Sequence, residues 1–141
     1  MRIARAVGFV GDVEYRHVYS QTGGAQYGRG STEEVDLLTV YAEAFERDTD
    51  PEEFSLEAII SHERGHQLLA RHPRIAKRVA GVSEASEEIL ASLLGAMICN
   101  DDADRISLFA KALAELLDLG QSVESANRQL QELWDVLEEL L

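Results

Sequence analysis

The chain has 141 residues, enough for one domain with one hydrophobic core, and its formal net charge of −13 disfavours binding to nucleic acid or to an anionic membrane. No apolar run approaches the ~20 residues of a transmembrane helix, and the N-terminus lacks a convincing signal-peptide cleavage site. The single cysteine, Cys99, cannot form an internal disulfide, which fits a cytoplasmic protein.

The first 30 residues are predicted to be β-rich. Apolar residues alternate with small or polar ones in two runs, Ile3 to Phe9 and Val13 to Tyr19. Gly11-Asp12 lies between the runs as a two-residue turn, so a β-hairpin is predicted over residues 2–20. The glycine-rich stretch that follows is predicted as a loop with a short strand around Gln26-Tyr27.

Two helix-start signals come next. Ser31-Thr32-Glu33-Glu34 matches a capping box, and the apolar residues after it predict a helix near residues 32–47. Asp50-Pro51-Glu52-Glu53 places a capping Asp before a Pro at the first helical position. The helix that it opens is predicted to run to about Arg71, because Pro73 disfavours helical backbone in the residue before it.

His62-Glu63-Arg64-Gly65-His66 is an HExxH pentapeptide within this second helix. The two histidines are four residues apart, so they lie one turn apart on the same inward face. Each imidazole can give one nitrogen to a single Zn²⁺, and Glu63 can reach a metal-bound water without being a ligand itself. The motif therefore predicts zinc bound by His62 and His66, with Glu63 as the general base of a peptidase.

His72 is one candidate for the third zinc ligand, because it lies where the longer motif HExxHxxGxxH places its third histidine. That motif needs Gly for a left-handed turn, and Leu69 occupies the position here. If the helix simply continued, His72 would lie about 120° from His66 around the helix axis and would point away.

A carboxylate on the next helix, predicted over residues 83–99, is the favoured third ligand. Its first turns carry Glu84, Glu87 and Glu88, and of these Glu88 shares a face with the small residues Ala91, Ser92 and Gly95. Small residues would let this helix approach the histidine-bearing helix closely, and Ser92 could then hydrogen-bond a ligating histidine. We therefore expect Glu88 as the ligand, with Glu84, Glu87 and His72 as alternatives.

These two segments resemble a known family. Residues 58–72, which include His62-Glu63-Arg64-Gly65-His66-Gln67-Leu68-Leu69, are similar to the HExGHxLLxxH stretch of ImmA/IrrE-type zinc peptidases. Glu88-Ile89-Leu90-Ala91-Ser92 is similar to the ExxA(N/D) segment that carries the third ligand in gluzincin metallopeptidases, with Ser92 in place of the usual Asn or Asp. Residues 113–130 resemble the helix-turn-helix-like tail of the family. The resemblance implies a small gluzincin peptidase; some family members cleave a repressor protein.

The C-terminal part is predicted to form two helices, residues 104–118 and 122–141, joined at Gly120. Residues 101–141 contain three basic and ten acidic side chains, a net charge of −7 that would repel nucleic-acid phosphates. We therefore expect these helices to pack over the catalytic core or to pair with a second subunit as a homodimer. Trp134 and the leucines beside it are predicted to be core residues.

Together these patterns predict an α+β, zincin-like domain over residues 1–141, with a β-rich part (1–30), the catalytic helices (31–100) and a C-terminal helical pair (101–141). The expected function is zinc-dependent hydrolysis of a peptide or protein substrate, which an edge strand beside the metal helix would hold by strand addition. The candidates for stabilising an oxyanion are Tyr15, His17, Tyr19 and Tyr27. The alternative function is a non-enzymatic, metal-stabilised interaction module that uses the same ligands.

Overall fold

The computed structural model describes residues 2–19, 24–31, 35–46 and 54–141. These residues form an α+β fold, as the sequence predicts, and its three strands make one sheet in the order β1-β3-β2. Strand β1 is parallel to β3 and β2 is antiparallel to it. The elements in chain order are α1 (Arg2–Ala6), β1 (Asp12–Arg16), β2 (Ala25–Gly28), β3 (Leu37–Tyr41), α2 (Ala42–Glu46), α3 (Leu56–Arg71), α4 (Pro73–Arg78), α5 (Glu84–Ile98), α6 (Asp102–Asp118) and α7 (Val123–Leu140).

The first strand of the predicted hairpin is wrong, because α1 occupies that part of the chain. Ala4 within α1 and Val7 directly after it are buried, and the apolar run to which they belong fits a helix as well as a strand. The helix ends in a Schellman motif: Gly8 has a φ of +85°, and the Phe9 N–H donates to the Ala4 carbonyl at 2.9 Å. Gly8 therefore ends a helix here and does not lie within a strand.

Residues 12–16 do form a strand, but it pairs with β3 in a parallel arrangement and belongs to no hairpin. The predicted turn at Gly11 is wrong as well. Gly11 has a φ of +141°, and a methyl group there would collide with the Asp36 carbonyl. The glycine thus allows the chain to enter β1 close to the start of β3. The predicted short strand around Gln26-Tyr27 is confirmed as β2.

The predicted helix near residues 32–47 is wrong over residues 37–41, which form the central strand β3. Leu38 and Val40 are fully buried, whereas Val35 and Phe45, two members of the expected helical stripe, are 61% and 43% exposed. A central strand is covered on both faces and reads as a continuous apolar run, which also fits a helical period. The predicted capping-box residues 32–34 lie outside the described residues.

Helix α3 ends at Arg71, immediately before the segment that Pro73 begins, as predicted. Its start differs from the prediction. Phe54 and Ser55 are not helical, and the Ser55 hydroxyl caps α3 by accepting a hydrogen bond from the Ala58 N–H at 3.1 Å. The predicted start signal at residues 50–53 lies outside the described residues.

Helix α5 matches the helix predicted over residues 83–99, and it crosses α3 at very short range. A methyl group at Gly65 of α3 would collide with the Ala91 carbonyl of α5. Reciprocally, a Cβ atom at Gly95 of α5 would lie 2.9 Å from the Ser61 carbonyl oxygen. The two glycines thus place the backbones of α3 and α5 in direct contact, as the small residues on α5 predict.

The core has two main parts. One lies between the sheet, α1 and α3, and the other lies where α4, α5, α6 and α7 pack against the end of α3. The predicted C-terminal helical pair is confirmed: Gly120, with a φ of +93°, separates α6 from α7, and Leu130 and Leu137 are buried against α5 and α6. Trp134 is partly buried beside them. None of the described helices has the length and apolar character needed to cross a membrane.

Asp36, just before β3, is only 6% exposed, and its hydrogen bonds link the sheet to α3. Arg71 donates to its two oxygens at 2.7 and 3.2 Å, the Gln67 amide at 2.9 Å, the Tyr27 hydroxyl at 2.8 Å and the Gly30 N–H at 2.8 Å. Burial raises the pKa of Asp36, but the hydrogen bonds from Arg71 and Gln67 outweigh it and hold the pKa well below its usual range.

Because the pKa of Asp36 is depressed in the folded state, its contribution to stability is present above the unfolded value of about 3.9 and is lost as the pH falls below it. We expect Asp36→Asn to lower the free energy of unfolding by about 1–3 kcal/mol at pH 7. That difference should shrink between pH 5 and pH 2, as measured by urea unfolding at several pH values. Asp118→Asn, at an exposed site, is the control; a pH-independent loss in Asp36→Asn would contradict the assignment.

Gly65→Ala tests the close crossing of α3 and α5. Alanine in place of an unhindered helical glycine stabilises a helix by about 1 kcal/mol. Here the added methyl group collides with the Ala91 carbonyl, so we expect a loss of about 1–3 kcal/mol from overpacking. Urea unfolding measures the change in the free energy of unfolding: a decrease supports the close crossing and an increase contradicts it. Gly95→Ala should change the free energy of unfolding in the same direction.

Candidate metal centre

His62 and His66, on successive turns of α3, meet Glu88 from the second turn of α5. The His62 Nε2 lies 3.0 Å from Glu88 Oε2, and the His66 Nε2 lies 3.1 Å from Glu88 Oε1. The two Nε2 atoms are 3.2 Å apart. One ligand atom from each residue lies within 4.8 Å of the others, so the three side chains could hold one metal ion.

The spacing of these atoms fits zinc. Ligands bound at 2.0–2.1 Å around a tetrahedral Zn²⁺ lie about 3.3 Å from one another. The two Nε2 atoms are 3.2 Å apart, and each lies 3.0–3.1 Å from a different oxygen of the Glu88 carboxylate. Two imidazoles and one carboxylate are a donor set that zinc binds in catalytic sites, where a fourth position stays open. The residues present therefore fit Zn²⁺, although the geometry by itself does not select one metal.

The other nitrogen of each histidine also has a partner on α5. His62 Nδ1 lies 3.0 Å from the Ser92 hydroxyl, as predicted, and His66 Nδ1 lies 3.4 Å from Glu87 Oε1. Glu87 is thus placed to orient His66, on the side away from Glu88. With Nδ1 protonated and donating, each Nε2 is free for a metal. Burial lowers the pKa of His62, which favours the neutral form that a ligand needs.

Glu63 lies beside this cluster and is held by the sheet. Its Oε2 accepts a hydrogen bond of 2.9 Å from the Tyr27 N–H of β2. Burial raises the pKa of Glu63 to about 7, with the charge of His66 acting in the opposite direction. A cation bound by the histidines would lower that pKa again, because it favours the charged carboxylate. Glu63 thus has a fixed orientation and an environment suited to accepting a proton.

The structure does not bring every candidate residue to the cluster. His72 caps α4, where its Nδ1 accepts a hydrogen bond from the Ile75 N–H, so it is not placed as a ligand. Glu84 lines a cavity that opens beside the cluster of His62, His66 and Glu88. Of the four candidates for oxyanion stabilisation, the exposed pair Tyr15 and His17 bind each other at 2.9 Å, away from the cavity lining.

Tyr19 is also exposed and lies outside the described lining of the cavity. Tyr27 does line the cavity, but its hydroxyl donates to Asp36 on the other side of the strand. Burial and the hydrogen bond to Asp36 raise the pKa of Tyr27 to about 12. The Tyr27 backbone, through Glu63, is therefore the part of this residue that reaches the site.

A cavity of about 620 Å³ opens beside the cluster. Its size lies within the range of ligand-binding clefts. Strand β2 forms one wall through residues 25–27, and acidic side chains lie at the α5 end. Four apolar side chains also belong to the described lining: Phe54, Ala58, Ile59 and Leu108.

Lys111 of α6 also lines the cavity, and the sequence prediction missed it. Its ammonium lies 3.9 Å from Glu88 Oε2 and donates to Glu115 Oε1 at 2.7 Å. A signal was present in the sequence: Lys111 follows the core residue Leu108 by three residues, so the two side chains are neighbours on the helix surface. A cation on the inward face of a strongly acidic segment marks a candidate site residue.

Comparisons with protein-family models, with curated proteins and with solved structures return no match to this chain. The arrangement of the side chains themselves is therefore the basis for assigning a function.

The metal centre is tested by zinc titration calorimetry. We expect His62→Ala to abolish stoichiometric binding because it removes a ligand nitrogen, and Glu88→Gln to weaken binding far more than Glu87→Gln because a neutral amide replaces the anionic carboxylate. Glu87→Gln should weaken binding by about 10- to 100-fold, the usual effect of a residue that orients a ligand. His72→Ala is the matched control and should bind like wild type; zinc loss in that variant alone would move the third ligand to His72.

Proposed function

We propose that this protein is a zinc-dependent peptidase of the gluzincin kind, in which His62, His66 and Glu88 hold the metal and Glu63 is the general base. The observation that carries the proposal is the pairing of this three-residue cluster, the metal cradle, with a partly buried, oriented carboxylate at the wall of an open cavity. The local resemblance to ImmA/IrrE-type peptidases agrees with this assignment of roles.

Zinc bound in such a cradle lowers the pKa of a coordinated water and polarises a carbonyl group. Glu63 moves one proton of the attacking water. Glu63 takes it as the water oxygen bonds to the carbonyl carbon and the carbonyl π electrons pass to oxygen. When the tetrahedral intermediate collapses, the C–N bond breaks and Glu63 returns the proton to the leaving nitrogen. The products at neutral pH are a carboxylate and an ammonium group, because the second proton of the water leaves the new carboxylic acid and is taken up by the amine.

Strand β2 supports an extended substrate at this site. Antiparallel ladders alternate, so neighbouring residues direct their backbone groups to opposite sides. The Gly24 carbonyl accepts from the Tyr41 N–H of β3, whereas the Tyr27 N–H points the other way, to Glu63. Ala25 has the same parity as Tyr27, so its N–H and carbonyl face the open edge. An extended peptide can pair with that edge and pass beside Glu63.

The cavity and Glu63 also favour catalysis over a purely structural metal site. A structural zinc site is closed by four protein ligands, whereas this cradle has three candidate ligands among the described residues and borders open space. A structural site has no use for an oriented, uncoordinated carboxylate held beside it. The non-enzymatic interaction module is therefore the weaker proposal, and the substitution of Glu63 separates the two.

We expect Glu63→Gln to keep wild-type zinc content, because Glu63 is not a ligand, and to lower the peptidase rate by at least about 100-fold, because the proton acceptor is lost. Cleavage of a library of unstructured peptides at neutral pH, read by mass spectrometry, measures the rate. Glu57→Gln, at an exposed position of the same helix, is the matched control.

Equal cleavage by wild type and Glu63→Gln would identify a contaminating protease. Zinc-loaded wild-type protein that cleaves no member of the library would contradict the peptidase proposal and favour the interaction module.

A further inference from the structure

Lys111 carries the only ammonium group among the described residues that line the cavity. The chain has just two lysines, Lys77 and Lys111. Lys77 is exposed on α4, whereas Lys111 projects from α6 toward the metal cradle, where its ammonium is 3.9 Å from Glu88 Oε2. This distance is too long for a hydrogen bond, so the contact with Glu88 is one of charge alone.

The ammonium has donors to spare. It can donate three hydrogen bonds, and the described residues accept one of them, at Glu115 Oε1. The bond to Glu115, one helical turn away, fixes the direction of the side chain and leaves two N–H groups for a ligand in the cavity. The Lys111 side chain is therefore held in a fixed direction by Glu115, and its ammonium can still donate two further hydrogen bonds.

Charge argues that a second partner of Lys111, beyond the Glu115 carboxylate, is an anion. A cation next to a metal ligand repels the metal, so it weakens the cradle that it borders. Once Glu88 binds a dication, its charge is no longer available to neutralise Lys111. A cationic group in this position is useful when negative charge develops beside the metal, as it does on a carbonyl oxygen under attack by water.

A peptidase substrate could offer two anions to Lys111: the oxyanion that forms at the scissile carbonyl group, and the carboxylate of a C-terminal residue. The carboxylate of a C-terminal residue lies about one residue, ~3.8 Å, beyond the scissile carbonyl. Lys111 borders a metal ligand directly, with its ammonium 3.9 Å from Glu88 Oε2, and the carbonyl oxygen is the substrate atom that a metal held by the cradle would polarise. The carbonyl oxygen of the bond being cleaved is the better match.

We propose that Lys111 is a further catalytic residue, which donates a hydrogen bond to the substrate's carbonyl oxygen as that oxygen becomes an oxyanion. The inference rests on the proposed peptidase function. Lys111 transfers no proton: the carbonyl π electrons move to oxygen during water addition and return when the C–N bond breaks. The residue replaces the tyrosines and histidine that the sequence suggested for this role.

The test compares Lys111→Met with Lys77→Met, its matched control, on a peptide that wild type cleaves. We expect Lys111→Met to lower kcat by about 100- to 1,000-fold, as for other oxyanion donors, with KM within threefold of wild type. Lys111→Arg should recover part of the rate because it keeps the charge and the donors. Lys77→Met should match wild type.

Two binding measurements do not depend on turnover. A phosphinic peptide, whose phosphinate group replaces the scissile amide and carries a permanent oxyanion, should bind zinc-loaded Lys111→Met at least tenfold more weakly than wild type. Zinc affinity should stay equal or increase, because the neighbouring positive charge is gone. If Lys111→Met fails to fold, Lys111→Gln provides the same comparison.

A Lys111→Met protein with kcat and phosphinate affinity within threefold of wild type would overturn the inference while leaving the peptidase proposal intact. Loss of zinc in parallel with loss of activity would also overturn it, because Lys111 would then act by positioning Glu88. Wild-type protein that neither cleaves peptides nor binds the phosphinate would remove the proposed function, and the inference with it.

Discussion

The close crossing of α3 and α5 is the constraint on which the rest of the molecule depends. Packed helices commonly lie 8–10 Å apart, and at Gly65 and Gly95 a single methyl group would force these two further apart. The Glu88 side chain is short, so its carboxylate reaches the Nε2 atoms of His62 and His66 at 3.0–3.1 Å only because the two helix backbones are in contact. The metal cradle thus depends on the two glycines at the helix crossing as much as on the three side chains that form it.

Helix α3 presents two separate rows of polar side chains to two different partners. His62 and His66 face α5, whereas Glu63, Gln67 and Arg71, each four residues after the last, face the sheet. Along the second row Glu63 binds β2, Gln67 binds the Val10 backbone at 2.6 and 3.2 Å, and Arg71 binds Asp36. The sheet and α3 are therefore held together at several points, and the contact at β2 fixes the proposed general base, Glu63, relative to the strand proposed to bind substrate.

The predictable parts of the molecule are those with strong local signals. Helix α5, the C-terminal pair and the end of α3 follow from periodicity and from Pro73, and the meeting of Glu88 with the histidines follows from the small residues on its face. The N-terminal elements were mispredicted because short apolar runs fit both periods, so α1 and β3 were exchanged for strand and helix. The Asp36 network could not be predicted, because its donors come from segments up to 35 residues away in the chain and no local pattern marks them.

Two carboxylates that link α3 to the sheet have opposite environments: Asp36 is buried and Glu63 is partly buried. Asp36 accepts five hydrogen bonds, two of them from a guanidinium, and its pKa lies far below the ordinary range. Among the described residues Glu63 accepts one, from a backbone N–H, and burial raises its pKa to about 7. A fully satisfied carboxylate has no reason to accept a proton and serves to hold the sheet on α3. A desolvated, under-satisfied carboxylate gains by accepting one, and opposite environments of this kind distinguish a structural acid from a general base.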